Sequence, residues 1–313
     1  MKLLPISIII PTMNRPGTLN ETIISFLSCE YIPAQIIVVD QTQDADMQAK
    51  IKESLFTYDT NSKIEYIYQS IPSLTKARNR GWEAVTQEIV ICSDDDVCIN
   101  SDTLENIHNI MKNFSIAMIA GIDENSSPSS GKMGYLLGTK SLANRKIGHV
   151  TLSMLGRYPD NIAGEIETQW AMGYFFVVRK SLADKWNLKW DENLTSYAYA
   201  EDLDYSYEYY KRAKAENLRC VLNDRVKVKH MVSKEYRIPS KKSLYMYVIN
   251  RAYLSYKHNM GVKSRIAMKW CNFWMTVNFL IHKKNPHYMI EARKLCKKIY
   301  RNRFENLSKY FDF

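Results

Sequence analysis

The feature that most limits how this chain can fold is a recurrence of short apolar runs through its first 122 residues. Leu3 to Ile10, Gln35 to Val39, Ile64 to Tyr68, Glu88 to Cys92 and Ile116 to Ile122 are largely apolar and enriched in β-branched residues. Runs of this kind read as strands buried on both faces, as in a parallel sheet. Between them, residues 17–29, 44–56, 73–86 and 101–113 read as helices. Strands and helices alternating at this spacing predict an α/β fold: a Rossmann-like, doubly wound, mostly parallel sheet with right-handed crossovers. Ligands of such a sheet sit beyond the strand C-termini, so the polar residues there are the candidates for binding.

From Asp123 to Gln169 the periodicity fades while Gly, Ser and Asn accumulate, which reads as a long loop region over the site. Order returns over residues 170–178, followed by a helix near 181–186, a second helix starting near Glu201, and a strand-like run from Arg225 to Met231. After Pro239 the sequence reads as helical to its end. With 313 residues, 46% of them hydrophobic, the chain can bury a full core and still carry an appendage. The expected division is a catalytic domain over 1–235, with halves 1–122 and 123–235, and an extension over 236–313.

Cys29, Cys92, Cys98, Cys220, Cys271 and Cys296 show no CxxC spacing, which argues against a zinc site or a disulfide framework and for a reducing compartment. The N-terminal residues carry no apolar h-region or small-residue cleavage site, so the protein is expected in the cytoplasm and Asn193-Leu194-Thr195 is given no weight as a glycosylation signal. The net charge of +10 is uneven: residues 225–313 hold 21 Lys and Arg against 4 Asp and Glu, leaving 22 against 29 for residues 1–224. A basic tail on a mildly acidic body meets nucleic acid or an anionic membrane, or is simply solvated.

Three strand ends present polar groups: Pro11-Thr12-Met13-Asn14-Arg15, Asp40-Gln41, and the consecutive aspartates Asp94, Asp95 and Asp96. Three adjacent carboxylates repel and raise one another's pKa unless they are solvated or share a hard cation. Asp40 could hold a ribose hydroxyl or a base N–H, or cap a turn. The third crossover helix carries Lys76, Arg78 and Arg80, which could reach a phosphate or face solvent. Neither GxGxxG nor a P-loop is present, which disfavours a nicotinamide dehydrogenase.

Taken together, five ordered segments resemble family 2 glycosyltransferases, which have the GT-A fold. They are the opening strand with Pro11-Thr12-x-Asn14-Arg15; Val38-Val39-Asp40; Ala77-Arg78-Asn79-x-Gly81; Asp94-Asp95-Asp96; and Asp191-Glu192-Asn193-Leu194 leading to Glu201-Asp202-Leu203-Asp204. The likeness covers residues 1 to about 232. It implies an inverting transfer from a nucleotide-sugar donor, UDP-linked by preference, with Mn2+ or Mg2+ as cofactor, to a glycan or lipid-linked glycan hydroxyl in bacterial surface polysaccharide synthesis.

By position, the resemblance assigns the donor side to Pro11, Thr12, Asn14, Arg15, Asp40, Arg78, Asp94 and Asp95. Asp96 and Asp94 become metal ligands with His230 as a third, although three aspartates in a row leave the register open by one residue. Asp202 becomes the general base, needed because a sugar hydroxyl is a poor nucleophile at neutral pH. Trp170, Gly173, Tyr174 and Glu201 fall on the acceptor side, while Phe175 and Phe176 are expected in the core. The family's Arg-Ala-Gly after the base helix reads Arg212-Ala213-Lys214 here, so the acceptor side is expected to differ.

The residues alone also admit a nucleotidyltransferase, in which Glu201-Asp202 has no evident job, and a basic nucleic-acid-binding protein, although no nucleic-acid partner is expected. Within the tail, Ile266, Trp270, Phe273, Trp274, Val277 and Ile281 follow helical spacing in a segment too interrupted to span a membrane. That stripe either packs on the domain or lies in the plane of an anionic membrane surface on the cytoplasmic face.

Overall fold

The computed structural model describes residues 2–58, 60–125, 133–141, 146–231, 240–282, 285–301, 303–305 and 307. The expected boundary at 235/236, Pro239 and the last six residues lie outside them. The first half runs β1 (Lys2–Thr12), α1 (Pro16–Leu27), β2 (Tyr31–Asp40), α2 (Ala45–Leu55), β3 (Lys63–Tyr68), α3 (Leu74–Glu83), β4 (Ile89–Ser93), β5 (Val97–Ile99), α4 (Thr103–Met111) and β6 (Ile116–Asp123). It continues with α5 (Met133–Leu136), β7 (His149–Val150), β8 (Gly156–Arg157), β9 (Glu165–Glu167), β10 (Phe175–Arg179), α6 (Lys180–Lys185), α7 (Glu201–Ala215) and β11 (Arg219–His230). Three helices close the described chain: α8 (Ser240–Lys257), α9 (Gly261–Ile281) and α10 (His287–Arg301).

The main sheet has nine strands in the order β3-β2-β1-β4-β10-β6-β11-β5, with β9 paired to β11. Strands β3, β2, β1 and β4 are parallel, and β11 is parallel to β6, whereas β10 lies antiparallel between β4 and β6. The mostly parallel doubly wound sheet therefore agrees with the sequence expectation, including an almost wholly buried run from Ile6 to Ile10. Phe175 and Phe176 are fully buried, as expected. The segment after Asp123 is more ordered than a bare loop: Glu165–Glu167 joins the main sheet, and His149–Val150 pairs with Gly156–Arg157.

Helix α3 approaches the sheet closely because Gly81 has no side chain. A β-carbon there would stand 2.5 Å from Ile9 Cγ2 and 3.3 Å from Val39 Cγ2. On the same face of the sheet, over its far half, α7 is held by Tyr205, whose ring stacks on Trp190 at 3.9 Å. The C-terminal helices share a core with this domain, as Met246, Ile249 and Leu254 of α8 and Met289 of α10 cluster with Trp170, Leu194 and Leu203. Polar ties add to that packing: Lys257 and His258 stand 2.6 and 2.8 Å from the carboxylate of Asp204, and Tyr253 donates to Asp191 at 2.7 Å.

Gly81→Ala is expected to lower stability by roughly 1–2 kcal/mol, because overpacking costs more than the gain in helix propensity returns. An unchanged thermal midpoint would contradict the close approach of α3 to β1.

Candidate active site

Three strand ends and one helix N-terminus meet at the C-terminal edge of the parallel strands. The acidic turn after β4 is pinned from α1 and the end of β1. Thr12 Oγ1 donates to Asp95 Oδ2 at 2.7 Å, Arg15 Nη1 lies 2.9 Å from Asp95 Oδ1, and Thr22 Oγ1 donates to the Asp95 carbonyl at 2.8 Å. Burial pushes the Asp95 carboxyl up to about 7 even though Arg15 and Thr12 pull the other way. With Asp95 turned inward, its neighbours Asp94 and Asp96 turn toward the strand ends.

Asp94, Asp96 and His230 each offer one ligand atom, and these atoms all lie within 4.8 Å of one another. His230 Nε2 is 3.2 Å from Asp96 Oδ1, and the Met231 N–H donates to the Asp96 carbonyl at 2.9 Å, which ties the end of β11 to the acidic turn. The imidazole is oriented by Tyr174, whose ring stacks on it at 5.0 Å and whose hydroxyl donates to the Gly121 carbonyl at 3.0 Å. Burial alone would lower the His230 pKa, but the hydrogen bond and charge of Asp96, with Asp94 and Asp123 nearby, hold it above the ordinary value. Two carboxylates and one imidazole could hold a divalent cation and suit Mn2+ somewhat better than Mg2+.

Arg78 links this group to α7. It is 1% exposed, and its Nη2 lies 3.0 Å from Asp94 Oδ1, 2.9 Å from the Gly173 carbonyl and 3.4 Å from Glu201 Oε1. Burial raises Asp94 to about 6 and Glu201 to about 8, against the pull of the guanidinium in both cases. Asp202 Oδ2 accepts the Gly173 N–H at 2.8 Å, and burial raises this carboxyl too, opposed by backbone N–H groups and by Arg78. A β-carbon on Gly173 would stand 3.1 Å from Asp202 Cβ, so any larger residue there would crowd the Asp202 side chain.

Asp40 is fully buried and accepts the Thr42 N–H at 2.9 Å and the Tyr66 hydroxyl at 2.8 Å. Pro11 is buried at the end of β1, and Asn14 takes a left-handed backbone at φ 59° with its N–H donated to Thr42 Oγ1 at 2.9 Å. Trp170 is 5% exposed and packs on Tyr158 at 5.0 Å, behind Met172 and Gly173. Asp204, two residues past Asp202, faces Lys257 and His258.

Sequence reading missed Tyr66 and Thr42 as partners of Asp40, and the Gly173 N–H as the group that orients Asp202. It also missed Tyr197, 54% exposed and within electrostatic reach of Asp94, Asp202, Arg15 and Asp96. That loop carries left-handed backbone at Ser196, Ala198 and Ala200, with φ of 60°, 51° and 68°. Non-glycine residues in this region store strain and cluster at functional sites, yet no residue type in the sequence marks it.

The family described as "Glycosyl transferase family 2" matches this chain over residues 7–186. Among solved structures, GalNAc-T7 with UDP, GalNAc and Mn2+ is similar at 15% identity and a TM-score of 0.57, over 85% of this chain. The chain spans about half of that protein, 54% of its length. The mannosyltransferase PcManGT from Pyrobaculum calidifontis, in complex with GDP-Man and Mn2+, is similar at 13% identity and a TM-score of 0.54, over 98% of this chain and 83% of that one. S. aureus TarS 1-349 in complex with UDP-GlcNAc follows at 16% identity and a TM-score of 0.50, over 89% and 73%. No curated protein sequence matches. At these identities the structural likeness establishes the GT-A fold.

Because the folded state holds the Glu201 proton up to about pH 8 and the unfolded chain releases it near 4.5, wild-type stability falls across that window as pH rises. Glu201→Gln has nothing to titrate. Its thermal midpoint in excess chelator should therefore gain on the wild type by several degrees between those two pH values. A difference that stays flat with pH would contradict the burial of this carboxyl.

Proposed function

The chain belongs to glycosyl transferase family 2 and is a glycosyltransferase, and on that premise we propose an inverting, metal-dependent transfer from a UDP-sugar to a hydroxyl of a glycan or lipid-linked glycan. The observation that carries this reading is the convergence of Asp94, Asp96 and His230 on one point, with Asp202 set apart from them across Arg78 and Gly173. That separation suits two jobs, leaving-group stabilisation on one side and proton removal on the other.

Asp94, Asp96 and His230 would hold Mn2+ or Mg2+, which supplies positive charge against the negative charge that builds on a departing diphosphate. The choice of nucleotide is supported by the uridine ligands of the GalNAc-T7 and TarS structures, although the mannosyltransferase holds GDP-Man. Asp40 takes the base or ribose of the donor, Pro11, Thr12, Asn14 and Arg15 form its nucleotide wall, and Asp95 fixes that wall through Thr12 and Arg15. Arg78 Nε and Nη1 and Glu201 Oε2 are buried without a protein partner among the described residues, a state expected where a polar ligand completes the site.

On the acceptor side, the Gly173 N–H aims the Asp202 carboxylate, and burial keeps that group basic enough to accept a proton. Asp202 takes the proton from the acceptor hydroxyl as its oxygen bonds to the anomeric carbon and the diphosphate leaves from the opposite face, which inverts the centre. Trp170, Tyr174 and Glu201 support the acceptor side from behind, since all three are buried. We place the catalytic unit in residues 1–235, with a nucleotide half 1–122 and an acceptor half 123–235, followed by a basic helical extension over 236–313. The biological setting proposed is bacterial surface polysaccharide synthesis in the cytoplasm, at the inner face of the cell membrane; no helix among the described residues is long and apolar enough to cross one.

Asp202→Asn should retain donor and metal binding, read by calorimetry with UDP and Mn2+, while turnover of a UDP-sugar falls by about 10²-fold or more. Turnover near that of the wild type would remove Asp202 from the role of base.

A further inference from the structure

Helix α9 is built inside out. A helix on a soluble domain normally turns its apolar stripe to the core and its polar residues to water. Here the buried positions include Ser264, Asn272 and Thr276, together with Met268 and Cys271. The apolar residues Val262, Ile266, Trp270, Phe273, Leu280 and Ile281 are instead 45–70% exposed. At about 100° per residue these six fall within an arc of about 100°, so they form one continuous outward face.

The orientation is fixed by polar contacts on the inner side and cannot be relieved by rolling the helix. Ser264 Oγ lies 2.7 Å from Ser255 Oγ and donates to the Leu152 carbonyl at 2.7 Å. Fully buried Arg251 donates to Asn272 Oδ1 at 3.2 Å, and Arg293 donates to Thr276 Oγ1 at 3.2 Å. Outside, Trp270 Nε1 donates to the Leu136 carbonyl at 2.8 Å, which brings the exposed side chains of Met133 and Leu136 on α5 beside the same face.

Charge decides what covers it. Lys263, Arg265 and Lys269 are exposed along the apolar arc, and α9 has no acidic residue. Helix α10, packed beside it, exposes Lys294, Lys297, Lys298 and Arg301. From Gly261 to Arg301 the sequence holds seven Lys and three Arg against the single Glu291. A second copy seated on this face would oppose like charges, whereas anionic lipid headgroups complement them.

We propose that α9, with Met133 and Leu136 of α5, is a membrane-seating face: the helix lies in the plane of an anionic bilayer surface, its Trp, Phe and Ile side chains at the headgroup–acyl boundary. This deepens the lipid-linked acceptor of the proposed function, on whose reading its purpose rests, by naming the surface that holds the enzyme beside such an acceptor. The extent of α9, about 31 Å, allows a shallow contact along its whole length.

The test is co-sedimentation of the full chain with vesicles of phosphatidylcholine alone and of phosphatidylcholine mixed with phosphatidylglycerol. Wild type should bind the mixed vesicles, and binding should weaken with salt. The surface variants Ile266→Glu/Phe273→Glu and Lys263→Glu/Lys269→Glu should each bind about ten-fold more weakly. The proposal is overturned if wild type stays in the supernatant, if both variants bind as wild type does, or if wild type elutes as a dimer that Phe273→Glu dissociates. Thermal shifts with UDP and Mn2+ run on the same samples keep the two readings apart. A shift retained by every variant shows that lost binding is not unfolding, and a shift missing from wild type counts against the donor site alone, since sedimentation still decides the membrane face.

Discussion

The buried guanidinium of Arg78 is the constraint on which the site depends. It is donated from α3, and through one nitrogen it meets Asp94 at the end of β4, the Gly173 carbonyl just before β10, and Glu201 at the start of α7. Four elements that are distant in sequence are thereby held at one point. Burying a charge costs several kcal/mol, and the cost is offset only where acidic and carbonyl partners stand close. Burial opposes the Arg78 charge, and Glu201 and Asp94 raise its pKa when they are ionised; because burial keeps the proton on Glu201 up to about 8, Asp94 and the Gly173 carbonyl are the partners that offset the charge near neutral pH. The same cation restrains the two carboxyls that burial raises, so the metal-ligand side and the base side share one electrostatic environment.

Much of this frame is legible in sequence for a physical reason. Strands β1, β2, β4 and β6 are largely buried runs rich in Ile, Val and Ala, and the crossover helices between β1 and β4 carry helical spacing, so local pattern and tertiary placement agree. The run Ile64 to Tyr68 departs from the expectation of burial on both faces: β3 forms the edge of the sheet and none of its residues is fully buried. The acidic turn, the Arg78 segment and Glu201-Asp202 stand out because clustered charge is costly in a core. What escapes is whatever depends on pairing across long sequence separation. Nothing in Phe175–Arg179 says that it enters the sheet antiparallel between β4 and β6, nor that Tyr174 stacks on His230. The partners of Asp40 escape as well, because Thr42 and Tyr66 are unremarkable until their strands and turns are placed.

The tail illustrates the opposite case, where the period is readable and its direction is not. Helical spacing picks out Ile266, Trp270 and Phe273, but whether such a stripe faces core or solvent is set by its partners. Here Arg251, Ser255 and Arg293 claim the polar side of α9. The extension is nevertheless continuous with the catalytic domain: Lys257 and His258 hold Asp204 on the first turn of α7, two residues from Asp202. A contact made by the tail is therefore made by the body that carries the proposed base.

The proposed function requires one site that takes a nucleotide diphosphate together with a divalent cation at Asp94, Asp96 and His230. The most direct measurement is thermal unfolding with UDP, GDP, dTDP and CDP, each with Mn2+, with Mg2+ and with excess chelator. The expected result is a rise for UDP that requires the metal and that Asp96→Asn abolishes, since ligand at about 100 times its dissociation constant adds about 2.7 kcal/mol. No shift with any nucleotide under any metal condition, or an equal shift in chelator, would contradict it.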